Sequence, residues 1–153
     1  MKFKLYLILP ILLLFVLNSC GYKSVYSSKG LEFSIGDISS SGNKNLTNYL
    51  SNKIRRVGSE NNEIYDLYIN IQNITNTISK DKQGNPSIFS LAITTKIDFL
   101  KDDKLFNSKT FSQNTTYSNM KNKFELKRYK KNLEKQLLDQ IFDDFLLYVQ
   151  SIK

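Results

Sequence analysis

The chain has 153 residues, with 22 Lys and Arg against 14 Asp and Glu for a formal charge of +8, no histidine and one cysteine. Without histidine, and with a single thiol, neither a His/Cys metal site nor a Ser-His or Cys-His nucleophile can be assembled; most enzyme chemistry is excluded, and no catalytic residue, metal or other cofactor is expected. The positive balance points to anionic partners.

Lys2 and Lys4 precede an apolar run from Leu5 to Leu17 that contains Pro10. A membrane-spanning helix needs about 20 apolar residues, so the run reads as a cleaved leader covering residues 1–19. It ends at Leu17-Asn18-Ser19-Cys20-Gly21, the pattern of lipoprotein processing. In that chemistry the cysteine thiol receives a diacylglyceryl group, cleavage exposes the cysteine amine, and the amine is acylated in turn. Cys20 is therefore the expected lipidation site. Two or more acyl chains, at about 0.8 kcal/mol per buried methylene, anchor a protein stably to a membrane. Lipidation also accounts for an unpaired cysteine in an exported chain. Export argues against nucleic acid as a partner.

Residues 20–30 lack periodicity and suit a lipidated tether, leaving 31–153 as a single domain. Leu31 to Ile38 alternate loosely and predict a first strand, ended by Ser39-Ser40-Ser41-Gly42. Leu46, Tyr49, Leu50, Ile54 and Val57 follow helical spacing, with Asn43 or Asn45 as the N-cap and Gly58 as the stop. From Ile64 the period becomes two: Tyr65, Leu67, Ile69 and Ile71 share one face. Beyond Gln72 the apolar positions shift to Ile74 and Ile78, which predicts a bulge or bend there.

Asp81 to Pro86 has turn composition. The next strand places Phe89, Leu91, Ile93, Thr95, Ile97 and Phe99 on a buried face. Lys101-Asp102-Asp103-Lys104 closes a hairpin to a polar strand from Leu105 to Tyr117, expected at an edge. A helix follows from about Asn122 to Ile152, with Asn122 and Glu125 in capping-box spacing. Its main stripe is Leu126, Tyr129, Leu133, Leu137, Ile141, Phe145, Tyr148 and Ile152. A second stripe, Leu138, Phe142, Leu146 and Val149, leaves its last turns apolar nearly all round, either deeply buried or set against another protein. The fold class is thus α+β: a two-layer sandwich of two helices on a mostly antiparallel four-stranded sheet.

The adjacent acids Asp102-Asp103 and Asp143-Asp144 do not converge on a substrate and read as a turn and a solvated helix face. The first half of the last helix is different. Lys121, Lys123, Lys127, Arg128, Lys130, Lys131 and Lys135 gather against only Glu125 and Glu134. Bases at a helix start oppose its dipole, and like charges four apart repel, so this arrangement does not serve helix stability. Lys127, Arg128, Lys130 and Lys131 are candidate contacts for an anionic ligand, with Lys53, Arg55 and Arg56 on the first helix as a smaller set. A solvated face is the alternative.

Cys20-Gly21-Tyr22 followed by Val25-Tyr26, then one strand, a short helix, long antiparallel strands and a terminal amphipathic helix, resembles the LptE (RlpB) family of outer-membrane lipoproteins. The resemblance implies a two-layer sandwich that plugs an LptD-type outer-membrane β-barrel, helps it assemble, and assists lipopolysaccharide delivery to the outer leaflet with direct binding of the glycolipid. It also implies an outer-membrane, lipid-anchored location, facing the periplasm or inside the barrel lumen. Gly21, where an inner-membrane retention signal would place Asp, agrees with that sorting. An auxiliary lipoprotein of an envelope lipid transporter is the alternative of another class.

Overall fold

A computed structural model of the chain describes residues 34–57 and 63–151. The leader, Cys20, the tether, Leu31, Gly58 and Ile152 lie outside them. The elements run β1 (Ser34–Gly42), α1 (Lys44–Arg55), β2 (Ile64–Lys80), β3 (Pro86–Lys101), β4 (Lys104–Ser118) and α2 (Lys123–Ser151). The four strands form one sheet in the order β1-β2-β3-β4, with β1 parallel to β2 and the other pairs antiparallel. This is the expected α+β sandwich. The parallel pair follows from α1, which carries the chain back across the sheet between β1 and β2.

Both helices cover one sheet face. Leu46, Leu50 and Ile54 of α1 join Leu137, Leu138, Ile141, Phe142, Phe145, Leu146 and Val149 of α2 over Tyr65, Leu67, Ile69, Ile71, Leu91, Ile93, Ile97, Phe99, Phe111 and Tyr117 of the sheet. Phe99, Phe145 and Phe111 meet at its centre, the first two stacked at 6.2 Å between ring centroids. The second stripe of α2 is buried within this core. Leu126 and Leu133 of the main stripe pack at its margin, while Tyr129 is exposed and touches Tyr117 edge-on.

Two expectations change. Ser39–Gly42 does not break β1: these residues stay in register with Tyr68–Ile71 of β2. An edge strand is held through its backbone and tolerates polar side chains, and here Ser41 Oγ accepts from Tyr68 at 2.8 Å and from Asn70 at 2.6 Å. No bulge interrupts β2 near Gln72, because pairing with β3 is continuous from Asp66 to Thr77; the irregularity comes later, between Thr77 and Lys80, where Ile78 drops out of the register. Ile74 is exposed because it lies on the sheet face opposite the helices, and Ile78 because it falls at that shift; α2 still reaches β2 here, through Asn73 and Glu134.

The remaining boundaries follow local chemistry. Asp81 Oδ1 accepts the backbone N–H groups of Gln83 and Asn85, and Gly84 supplies a positive φ. Asp102 and Asp103 both adopt positive φ, 51° and 61°, the conformation a two-residue hairpin turn demands. Asn122 caps α2 by accepting from the N–H groups of Phe124 and Glu125. β4 forms one edge of the sheet, as its polarity implied.

Candidate functional site

The basic half of α2 passes the start of α1, and between them lies a groove of roughly 620 Å³. Lys127, Lys130, Lys131 and Lys135 line it from α2, together with Glu134; Asn43, Asn45, Leu46 and Tyr49 line it from α1. The helix periodicity of α2 explains the set, since positions 127, 130, 131, 134 and 135 are three and four apart and share one face.

The start of α1 is fixed from three directions. Asn43 Oδ1 accepts from the N–H groups of Asn45 and Leu46, capping the helix. Asn43 Nδ2 donates to Asn73 Oδ1 at 3.3 Å, and Asn73 Nδ2 donates to Glu134 Oε1 at 2.9 Å. The relay joins α1, β2 and α2 and holds the one acid of the groove against a protein amide. Four ammonium groups and the positive end of a helix dipole then dominate the local field, an arrangement that attracts anions.

Tyr49 forms the other wall. Its hydroxyl donates to Asp139 Oδ1 at 2.8 Å, and the ammonium groups of Lys53 and Lys135 sit 5.8 Å and 5.7 Å from its ring centroid. Burial, and next the bond to Asp139, raise the Tyr49 pKa above the ordinary phenol value, so this hydroxyl is a neutral donor at physiological pH.

The seven basic residues singled out from sequence separate into four groups. Lys127, Lys130 and Lys131 come together in the groove. Arg128 does not line it and pairs with Glu125 at 2.6 Å, one turn back on its own helix. Lys53 is bound to Asp139 at 2.6 Å, 4.7 Å above the Phe142 ring, where it ties α1 to α2. Arg55 and Arg56 are exposed at the far end of α1. Lys135, Tyr49 and Asn45 complete the groove without having been assigned to it. Lys135 was visible in the charge run; nothing local marks Tyr49, whose spacing is that of a core residue.

The paired acids occupy ordinary positions. Asp102 and Asp103 make the β3–β4 turn, and Asp144 accepts from Gln113 at 2.8 Å. Among the described residues no three His, Cys, Asp or Glu side chains gather as a metal site, and no helix is long and apolar enough to cross a membrane.

The described residues thus form a β-α-β-β-β-α sandwich with one sheet face that no described element covers, polar over β3 and β4 at its middle, and a basic groove between the helices. Solved lipoproteins share this architecture. Rare lipoprotein B from Shewanella oneidensis aligns with a TM-score of 0.60 at 19% identity, over 76% of this chain and 94% of that one. A minor lipoprotein from Acinetobacter baumannii aligns at 0.59 and 12% identity, over 78% and 92%. Lipoprotein B from Nitrosomonas europaea aligns at 0.58 and 12% identity, over 76% and 82%. At these identities the likeness is one of fold, and it is the fold that the LptE (RlpB) resemblance implied. No family model and no curated protein matches the sequence.

Proposed function

We propose that this chain is a non-enzymatic lipoprotein of the outer membrane, anchored through Cys20, that plugs an LptD-type β-barrel, helps it assemble and assists delivery of lipopolysaccharide to the outer leaflet. The observation that carries the reading is the inter-helix groove: four lysines gathered at a helix start, on a fold shared with rare lipoprotein B, suit the phosphate groups of a glycolipid. The asparagines and Glu134 beside them offer partners for sugar hydroxyls.

The bare sheet face supports the plug role. It is covered by no described element and presents Thr94, Thr110, Ser112, Asn114 and Thr116, with Thr94 and Ser112 sharing a hydrogen bond at 2.7 Å. Hydroxyl and amide groups of this kind suit the polar interior of a large barrel.

The reading is tested by capture of the tagged, full-length protein from detergent-solubilised outer membranes, with partners identified by mass spectrometry. Stoichiometric recovery of a large β-barrel is expected. Recovery of transporter subunits in its place would transfer the assignment to an auxiliary lipoprotein of an envelope lipid transporter.

A further inference from the structure

Beside Ser34, just inside the charged turn at residues 101–104, the sheet carries an apolar rim that the core does not use. Ile64 is 59% exposed, Leu105 63% and Phe106 54%. Phe106 is the extra residue of a register shift: Phe99 pairs with Asn107 and Leu100 with Leu105, leaving Phe106 opposite no partner. Its ring instead meets that of Tyr65 at 5.1 Å, on the helix-covered face. Leu105, paired with Leu100, and Ile64, next to Tyr65, belong to the bare face. The rim therefore carries exposed apolar groups on both faces of the sheet. A helix or strand laid along one face would cover only half of it, whereas a broad apolar medium met end-on covers all of it.

The covalent chain enters at this same end. Ser34 pairs with Ile64 and donates its backbone N–H to Glu63 at 2.7 Å. The stretch from Cys20 to Ser34 spans at most about 50 Å when fully extended. A lipid on Cys20 would hold this rim, before any other part of the domain, at high effective concentration beside the bilayer.

We propose that the rim of Ile64, Leu105 and Phe106 is a membrane-contact surface that seats the domain end-on in the interfacial region of the bilayer. The proposal rests on the anchored reading of Cys20 and applies to the anchored domain before a barrel encloses it. Among the described residues at this end the charges nearly balance, Lys101 and Lys104 against Glu63, Asp102 and Asp103, with Lys101 already 3.2 Å from Glu63. The turn charges stay in the hydrated headgroup layer. Apolar burial drives the contact, so a zwitterionic bilayer suffices and added salt has little effect. Seated this way, β2 rises from the surface, and the basic groove, level with Ile71, stands about 20 Å above the rim.

The chain contains no tryptophan, so Phe106→Trp installs a single reporter. The chain from Cys20 onward retains every core residue, since these lie between Leu46 and Val149. It is coupled through its only thiol to a maleimide-bearing lipid in phosphatidylcholine vesicles, with Phe124→Trp, at a 71% exposed site near the opposite end of the sheet, as the reference. The indole of Phe106→Trp is expected to emit at shorter wavelength and to be quenched by acyl-chain-brominated lipid severalfold more than the reference. Equal quenching at the two sites, or none at 106, overturns the proposal. Should Phe106→Trp fail to unfold cooperatively, Leu105→Trp takes its place with the same two outcomes. Because the anchor is attached chemically, the result is independent of cellular lipidation and of the partner recovered by capture.

Discussion

Tyr49 donates its hydroxyl to Asp139 at 2.8 Å, and Lys53 reaches the same carboxylate oxygen at 2.6 Å, so one acid of α2 fastens two successive turns of α1. Tyr49→Phe is expected to cost about 1 kcal/mol at neutral pH, and Asp139→Ala more, because it strips both partners. The bond also sets an alkaline limit. The folded-state pKa of Tyr49 is raised, first by burial and then by Asp139, so its stabilisation is fully present below the ordinary phenol value of about 10 and fades as pH rises through the folded-state value. Tyr65 and Tyr117 are raised as well, in each case mainly by burial. Urea unfolding on both sides of that pH should show a smaller alkaline loss in Tyr49→Phe than in the parent, with a residual loss from the other two phenols.

Gly42 ends β1 with φ +92°, and a Cβ there would stand 2.1 Å from the carbonyl oxygen of Ile71. Both the dihedral and the backbone contact exclude a side chain. Gly42→Ala should destabilise the domain by about 2 to 3 kcal/mol, read as a lower urea midpoint with an unchanged slope.

Thr95 lies at the centre of β3, fully buried, and its Oγ1 has no hydrogen-bond partner. A desolvated hydroxyl without a partner is a cost that a methyl group avoids. Thr95→Val should raise stability by about 1 kcal/mol in the same measurement; a loss would mean that the hydroxyl is satisfied in solution.

The groove lysines should act as a set. Replacing Lys127, Lys130 and Lys131 by alanine is expected to weaken binding of a phosphorylated glycolipid by about 0.5 to 1 kcal/mol each, roughly two- to fivefold in Kd, with a reduced salt dependence. Arg128→Ala, on the same helix but turned to Glu125, should leave binding unchanged. Equal effects at all four positions in titrations at two salt concentrations would reduce the groove to general surface charge. None of these changes should move the urea midpoint appreciably, since removing Lys127 and Lys131 also relieves a repulsion four residues apart.

The strands and helices were largely legible because their cores have strong periods. Leu91 to Phe99 alternate without a break, and between Leu137 and Val149 two adjoining helical stripes are buried except for the half-buried Tyr148. The misreadings fell where side chains do not decide the backbone. Ser39–Ser41 look like a turn in isolation but are held in β1 by the ladder to β2, and Ile74 suggested a bulge only because an exposed isoleucine was expected to seek a core.

For the candidate site, sequence alone determined the sign and the helix: a surplus of lysine at the start of α2 is a linear fact, as are Cys20 and the absence of histidine. Which of those bases share a space was decided only by the tertiary structure. Lys127, Lys130 and Lys131 face the start of α1, Arg128 turns back to Glu125, and Lys53 is spent on Asp139. The reason is distance along the chain. Asn43 and Tyr49 precede Glu134 and Asp139 by about ninety residues, and only the packing of both helices on one sheet face brings them together.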